Sequence, residues 1–453
     1  MIAARKIDAT NGPVVPQIIR YSIPLILSTL VQSLFNAVDV AVLGNMADSG
    51  AVASVGATSS IISLIVNSFV GISSGVKVLL ARFVGERSRE KARVTVDSAV
   101  ILAVVLGLFI SVLGWIGAPW FLQLTNCPQN CYDGALLYIR IYVSAAPAIL
   151  LYNFCSAILM TAGNTRSPMC YMLAGGVLNL VLNILLCLVM PNKVAAVAVA
   201  TVASQLLGAA LTLLRLCRGE GMIQLHIRGL NCNFAILGKI LFFGCPVALS
   251  SALYPIATLQ IQSAINSYGV SAIAGCSAAG TLENVTNAFI NSLAPATGVF
   301  IGQNLGAEKH QRVRQSFFNG LWLNALTGGV VGSFLYLTGR FWLGLILPGD
   351  PEAMDYAMVK MQCIILFQGI AGLNGVLTQF LENFGYSILT SINAIICVLI
   401  FRVIWMNCVY PHFQNFFMLM VCFTVSWMLM LTFNLVMTSI VYSRYRKGKY
   451  KRL

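Results

Sequence analysis

The stretch YSIPLILSTLVQSLF (residues 21–35) decides the fold, because a related stretch recurs in the second half of the chain. A similar stretch, FGCPVALSSALYPIA, occupies residues 243–257, and Pro24 in the first aligns with Pro246 in the second. Internal similarity at a fixed spacing indicates that one architecture is used twice. The question is then what environment these mostly apolar stretches occupy.

The amino-acid composition indicates an integral membrane protein. Of the 453 residues, 58% are hydrophobic and 9% are charged, and the mean hydropathy is +0.83. A soluble domain carries about 25% charged residues. The net charge of +14 at pH 7 raises the question of nucleic acid. The basic residues lie in short loops and at the C-terminus, however, which the positive-inside rule and anionic lipid explain without a nucleic-acid partner.

Apolar stretches about 20 residues long, enough to cross a bilayer, recur along the chain. The second and eighth are the most polar, with Ser, Asn and Gly throughout, and are expected to face other helices or a cavity. We predict an all-α membrane protein with twelve transmembrane helices. They lie near residues 18–43, 55–82, 95–117, 136–161, 168–190, 195–216, 239–266, 278–304, 316–339, 355–380, 387–410 and 414–442.

Basic residues predict the orientation. They concentrate at the N-terminus, in the loops at residues 82–94 and 306–315, in the middle linker and in the C-terminal tail, whereas the alternate loops hold few. We therefore expect both termini on the cytoplasmic side of the plasma (inner) membrane, which an even number of helices allows. Residues 2–17 contain no apolar core typical of a cleavable signal peptide, so the first helix is expected to act as the insertion signal.

Two more pairs of segments extend the repeat. GAVASVGATSS (residues 50–60) resembles GVSAIAGCSAA (269–279), and ARFVGERSREKAR (81–93) resembles GQNLGAEKHQRVR (302–314), at offsets of 219 to 222 residues across the three pairs. Six helices followed by six similar helices, both sets starting inside, form a parallel repeat about an axis along the membrane normal.

The repeat predicts where the halves divide and where they bend. We expect an N-lobe at residues 1–222, a cytoplasmic linker at 223–237 and a C-lobe at 238–453. Pro24 and Pro246 each remove one helical hydrogen bond, so we predict a hinge at each proline.

These blocks resemble the multidrug and toxic compound extrusion (MATE) family, and the resemblance covers essentially the whole chain. It implies two six-helix bundles related by a pseudo-two-fold axis around a V-shaped central cleft. It also implies proton- or sodium-coupled export of amphiphilic, often cationic, organic compounds. The stretches that carry it, in their order and spacing, are Pro24–Gly44, ILMTAGNTRSP (158–168), GGVLNLVLN (175–183), VAVATVASQ (197–205) and FIGQNLGAEKHQRVR (300–314).

A cation site is predicted in the N-lobe. Asp39 is an intramembrane acid, which costs about 2.5 to 3.5 kcal/mol on insertion scales and so is usually functional. Asn179 and Asn183 are four residues apart and share a helix face, where amide oxygens suit a hard cation or orient a carboxylate that takes a proton. The resemblance maps the family's cation site onto Asp39, Asn179, Asn183 and Thr201. Some members have an acid at the position of Asn183, so the coupling ion stays open.

Each of these residues also has a plainer interpretation. Asp39 could lie at the outer end of its helix, and the two asparagines could only join helices. Thr201 could bond its own backbone one turn earlier.

Four residues are candidates for the substrate cleft. Glu283, in GTLENVTNAFINS (280–292), is a second intramembrane acid that could recognise a cationic substrate or relay a proton, with Asn287 one helical turn later. The alternative for Glu283 is a helix cap. Phe35 and Tyr254 are aromatic candidates for the same cleft, although packing explains such residues equally well.

Basic residues inside the predicted helices are ambiguous. Lys77 is interpreted as a cleft residue or as snorkelling to the inner face, and Arg140 and Lys360, early in their helices, as snorkelling outward. Arg402 lies in FRVIW (401–405), a pattern that the family shows on its eleventh helix, and a structural role is favoured for it over a functional one.

Other functions fit less well. An enzyme is not expected, because the three histidines (His226, His310 and His412) lie near loops, and because no nucleotide-binding GxxxxGK[ST] motif occurs. No cofactor is expected. A flippase or exporter of a lipid-linked or polysaccharide precursor is the main alternative, against which the twelve helices and the predicted cation site count. We expect a monomer whose partners are small organic substrates and the bilayer.

Two cysteines flank the sequence PQN in a loop predicted to be external. Cys127 and Cys131 could form a disulfide there, and two free thiols are an equally good interpretation.

Overall fold

The computed structural model describes residues 7–46, 49–124, 127–219, 222–226 and 229–449. At residues 36–41, 43, 45, 46, 49–53, 124, 257 and 259 it describes the backbone but not the side chain. The described chain is helical almost throughout and contains no strand, so the predicted all-α class is confirmed.

The helices follow one another with short connections. Their bounds are α1 Val14–Met46, α2 Ser49–Gly85, α3 Arg89–Leu124, α4 Gln129–Ser144, α5 Ala146–Thr161, α6 Arg166–Val189, α7 Lys193–Cys217, α8 Phe234–Ser267, α9 Val270–Gly306, α10 His310–Leu337, α11 Gly339–Ile346, α12 Pro351–Cys363, α13 Gln368–Asn383, α14 Ser387–Ala394, α15 Phe401–Ile404, α16 Tyr410–Phe413 and α17 Phe416–Arg446.

Each predicted transmembrane stretch overlaps a long helix or a run of shorter ones. Within the described ranges, ten helices are long and apolar enough to cross a membrane, and eleven if the bent pair α4–α5 counts as one. Helix α9, the eighth predicted stretch, is not among them, as its many Ser, Thr and Asn residues lead us to expect. The multi-pass membrane fold therefore agrees with the sequence.

Two of the membrane helices are interrupted. Helices α4 and α5 meet at an angle of 47° beside Ala145, where Pro147 occupies the first turn of α5. Helix α12 ends at Cys363 and is followed by a 3₁₀ turn, Ile365–Phe367, before α13 begins. The Thr424 hydroxyl donates to the Cys363 carbonyl, which supplies the hydrogen bond that the break removes.

The chain forms two compact units, and two of their three boundaries fall inside helices. Unit 1 contains Leu27–Ala248 together with the chain up to Asp8, and unit 2 contains Ala9–Ile26 and Leu249–Leu453. The boundaries within α1 and α8 lie two residues after Pro24 and Pro246, respectively. The predicted lobes, 1–222 and 238–453, differ from these units and stay a prediction.

In unit 1, α2 packs against the first half of α8 without intervening side chains. Gly71 and Gly75 on α2 face Gly244 and Ala248 on α8, two small-xxx-small pairs of the kind that brings membrane helices into backbone contact. A Cβ atom on Gly75 would lie 2.9 Å from the Gly244 amide nitrogen, and one on Gly244 would lie 2.5 Å from the Ile72 carbonyl oxygen. The two backbones leave no room for a side chain here.

In unit 2, the segment Ala9–Gly12 is fastened to the start of α10. The Arg312 guanidinium donates to the Ala9 carbonyl at 3.1 Å, to the Gly12 carbonyl at 2.8 Å and to Asn304 Oδ1 at 3.2 Å. The Asn304 amide donates in turn to the Ala9 carbonyl at 3.0 Å. Both side chains belong to the repeated block at residues 302–314, so part of that block holds the N-terminal segment in place.

We expect Arg312→Ala to release this segment, because two hydrogen bonds from a charged donor to its carbonyls are lost at once and each contributes about 1.5–3 kcal/mol. Proteinase K cleavage within Ala9–Gly12 of the detergent-purified protein should accelerate by about tenfold or more. Arg314→Ala is the control, since that guanidinium only lies over the Phe318 ring at 5.9 Å. Equal cleavage rates for the two variants would show that Arg312 does not hold the segment.

Candidate functional site

The predicted N-lobe residues on α6 and α7 lie together. Asn183 is 1% exposed and Asn179 is 7% exposed, and both lie on one face of α6. The Asn183 amide donates to Asn179 Oδ1 at 3.1 Å, and the Asn179 amide donates to Thr201 Oγ1 at 3.4 Å. The Thr201 hydroxyl donates to the Val197 carbonyl at 3.0 Å. Thr201 therefore bonds its own helix and receives Asn179 at the same time.

This chain of hydrogen bonds gathers three uncharged side-chain oxygens inside unit 1. Amide and hydroxyl oxygens are suitable ligands for sodium, and they can also orient a carboxylate that exchanges a proton. The predicted fourth member, Asp39, belongs to α1, but its side chain lies outside the described residues. The role of all four residues therefore stays a prediction.

Phe35 lies close to this group. Its ring packs over Gly176 of α6, so closely that a Cβ atom at that position would overlap the ring. Gly176 stands three residues before Asn179 on the same helix. The aromatic cleft candidate of unit 1 thus contacts the helix that carries the predicted cation ligands, while its contact with substrate stays a prediction.

In unit 2, Glu283 forms an ion pair. The Lys360 ammonium lies 3.3 Å from Glu283 Oε2 and donates to the Cys276 carbonyl at 3.2 Å. Glu283 lies well inside α9, which begins at Val270, so the helix-cap interpretation is wrong. The Glu283 carboxylate balances the charge of Lys360, while the expectation that Lys360 snorkels outward stays a prediction. Asn287, one turn further along α9, is half-buried.

Arg140, in unit 1, contacts an aromatic ring. Its guanidinium lies 4.4 Å from the centre of the Trp115 ring, a cation–π contact that stabilises the charge, while the expectation that Arg140 snorkels outward stays a prediction.

Arg402 is a further functional candidate, although the sequence favoured a structural role for it. The side chain is 1% exposed, and its guanidinium lies 4.3 Å from the centre of the Phe423 ring and 6.0 Å from that of Tyr254. Ser426 Oγ accepts from Nε at 3.3 Å and from Nη2 at 3.2 Å. A lone arginine in an apolar stretch was the available signal, but its partners are remote in sequence. Tyr254, a predicted cleft residue, is one of them.

Cys127, between α3 and α4, and Cys131, in the first turn of α4, form no disulfide in the structure. Cys127 and Cys131 are both free, and Cys127 Sγ lies 3.8 Å from the Pro128 carbonyl oxygen. Burial, with a smaller contribution from Cys131, raises the pKa of the Cys127 thiol. Because the thiolate is the reactive form, this disfavours disulfide formation at neutral pH.

Comparison with known proteins identifies the family. The sequence model described as MatE matches residues 24–185 and, a second time, residues 246–406. The chain belongs to the MatE family. Each match begins at one of the two aligned prolines, Pro24 and Pro246, which confirms the duplication predicted from the repeat. Because members of this family are membrane exporters without enzymatic activity, the expected transporter function is confirmed at this level.

Individual relatives are more distant. The chain is 26% identical over 358 residues to the probable multidrug resistance protein YoeA of Bacillus subtilis, covering 77% of each chain. It is 26% identical over 303 residues to an FAD transporter of Shewanella oneidensis, covering 65% of this chain and 66% of that one. A crystal structure of MATE in complex with MaL6 superposes with a TM-score of 0.89 at 19% identity, over 98% of this chain and all of the other, which shows the same fold.

Proposed function

We propose that this MatE exporter is a cation-coupled antiporter that moves amphiphilic, often cationic, organic compounds out of the cell by alternating access. The observation that carries the proposal is the buried chain from Asn183 through Asn179 to Thr201, on the helices where a cation site is predicted. The similarity to a probable multidrug resistance protein supports the substrate class. The protein acts as a monomer in the plasma membrane with both termini in the cytoplasm.

Coupling requires only that ion and substrate prefer different conformations. A proton or sodium ion arriving from outside binds at Asp39 and the neighbouring amide oxygens, and it favours the state that has released substrate. Bending of α1 at Pro24 transmits the change, because a proline leaves one backbone hydrogen bond unmade and lowers the cost of bending there.

The test is efflux of a cationic dye from energised vesicles, with sodium and pH gradients imposed separately. With the gradient that drives efflux in the wild type, the rate of dye efflux should be about tenfold or more lower in Asp39→Asn. This substitution keeps the shape of the side chain and removes its charge. Asp133→Asn, at an exposed acid of α4, is the control and should leave efflux unchanged. Undiminished efflux in Asp39→Asn under both gradients rules out this site.

A further inference from the structure

Arg402 carries a buried charge for which the structure shows no carboxylate in contact. The acid–base pairs within 4.0 Å among the described residues include Lys91–Glu86, Arg93–Asp97 and Lys360–Glu283, and Arg402 belongs to none of these three. It is nevertheless the largest of the fully buried side chains described. Removing an arginine from water without a counter-ion is unfavourable, so such residues usually serve a pathway or a ligand.

The guanidinium has a face and an edge in different environments. Phe423 covers one face closely, and Ser426 accepts from Nε and Nη2, while the buried Nη1 has no hydrogen-bond partner. A planar fork with donors at its edge matches the two oxygens of a carboxylate or phosphate. The free donor therefore points to an acidic ligand rather than to further packing.

The helix backbone is irregular on both sides of this residue. A π-helical segment, Ile395–Ile400, precedes the single α-turn that holds Arg402, and a second, Trp405–Val409, follows it. Such π-helical insertions are rare and occur preferentially at functional sites. A structural arginine that only packs against an aromatic ring would not need two of them.

The surrounding charges also favour an anion. Lys360 and Glu283 neutralise each other at 3.3 Å, and Glu283 interacts with Arg402 only at longer range. Two cations thus accompany one carboxylate in this part of unit 2. The unbalanced charge is positive and sits on Arg402.

We propose that Arg402, with Ser426 beside it and the Tyr254 ring as a movable cover, binds the acidic group of an amphiphilic aromatic substrate, a carboxylate or a phosphate. The proposal rests on the proposed export function and extends its substrates to organic anions. Tyr254 is 40% exposed and lies farther from the guanidinium than Phe423, so in this proposal Tyr254 is the ring that moves aside when the ligand reaches Nη1. The substrate's aromatic ring then takes the place that Tyr254 leaves.

Binding of dansylglycine tests the site without relying on transport. The protein is placed in nanodiscs of phosphatidylcholine, and energy transfer from tryptophan to the dansyl group is titrated. The wild type should bind dansylglycine about tenfold or more tightly than its uncharged methyl ester. Equal affinities for acid and ester would overturn the proposal whatever the variants do.

Three variants complete the binding experiment. Arg402→Gln should lose the preference for the acid, and Arg402→Lys should recover part of it, since lysine keeps the charge but not the fork. Arg140→Gln is the matched control, because it removes a membrane arginine that lies over a ring at nearly the same distance, 4.4 Å. A preference retained in Arg402→Gln, or lost equally in Arg140→Gln, would contradict the assignment.

The source of the acidic group is decided by adding phosphatidylglycerol to the discs. If phosphatidylglycerol competes with dansylglycine in the wild type but not in Arg402→Gln, the site binds a lipid headgroup. If phosphatidylglycerol does not compete, the site binds a soluble substrate. Either result keeps the anion site.

Vesicle efflux then separates the two proposals: Arg402→Gln should lose efflux of dansylglycine and keep that of a cationic dye. If the wild type exports neither dye, the export function fails while the binding result stands.

Discussion

Gly75→Leu is expected to abolish the folded protein. The α2 and α8 backbones touch at Gly75 and Gly244, where even a Cβ atom would lie 2.9 Å from an amide nitrogen, so a leucine forces the helices apart. Overpacking a core costs about 1–3 kcal/mol when side chains can shift, and more when only backbone stands in the way. Separating two helices also loses the packing along their whole contact, a large share of a total stability of about 5–15 kcal/mol.

The measurement is the yield of monodisperse protein in fluorescence-detected size-exclusion chromatography, followed by its thermal unfolding midpoint. Gly56→Leu provides the control, because Gly56 lies on the same helix and has no atom within 4 Å of its would-be Cβ position. We expect a normal elution peak for Gly56→Leu and little or none for Gly75→Leu. Similar yields for the two would mean that the close approach of α2 and α8 does not support the fold.

Asn179→Ala combined with Asn183→Ala is expected to uncouple efflux from the ion gradient. The double variant removes two of the three oxygens gathered on α6 and α7, and with them the hydrogen-bonded geometry that holds Thr201. Ion-driven dye efflux should fall by about tenfold to a hundredfold, since each lost polar ligand costs about 1–3 kcal/mol. Yield and unfolding temperature should change much less.

Asn153→Ala is the matched control for that experiment. Its amide donates to the Ile149 carbonyl of its own helix at 2.8 Å, in the same unit. This variant should keep ion-driven efflux. If the double variant instead fails to reach the membrane while Asn153→Ala behaves as wild type, the two asparagines serve to join helices and the cation-site hypothesis loses its main support.

The repeat made much of the fold predictable. Recurring apolar stretches long enough to cross a bilayer identified the membrane helices. The aligned Pro24 and Pro246 identified the duplication, which the two family matches beginning at these residues confirm. The Asn179 and Asn183 pair was predictable for a similar reason, because a spacing of four places both on one helix face. These are local properties of the chain.

The remaining features depend on contacts between distant parts of the sequence. Arg402 lies near the Tyr254 ring although well over a hundred residues separate them in sequence, and the residues around FRVIW do not predict this contact. The position of Lys360 early in its helix predicted snorkelling, and it gave no indication of the ion pair that Lys360 forms with Glu283 on another helix. The roles of basic residues inside membrane helices therefore depend on tertiary structure, that is, on which helix faces pack together.

The placement of the unit boundaries has a mechanical consequence. Helix α1 begins in unit 2 and ends in unit 1, and α8 begins in unit 1 and ends in unit 2. Two of the three chain connections between the units are therefore helices, each with a proline two residues before the boundary, and the third lies at Asp8 and Ala9. On the prediction that both helices bend at Pro24 and Pro246, stiffening either helix alone is expected to slow the proposed export cycle.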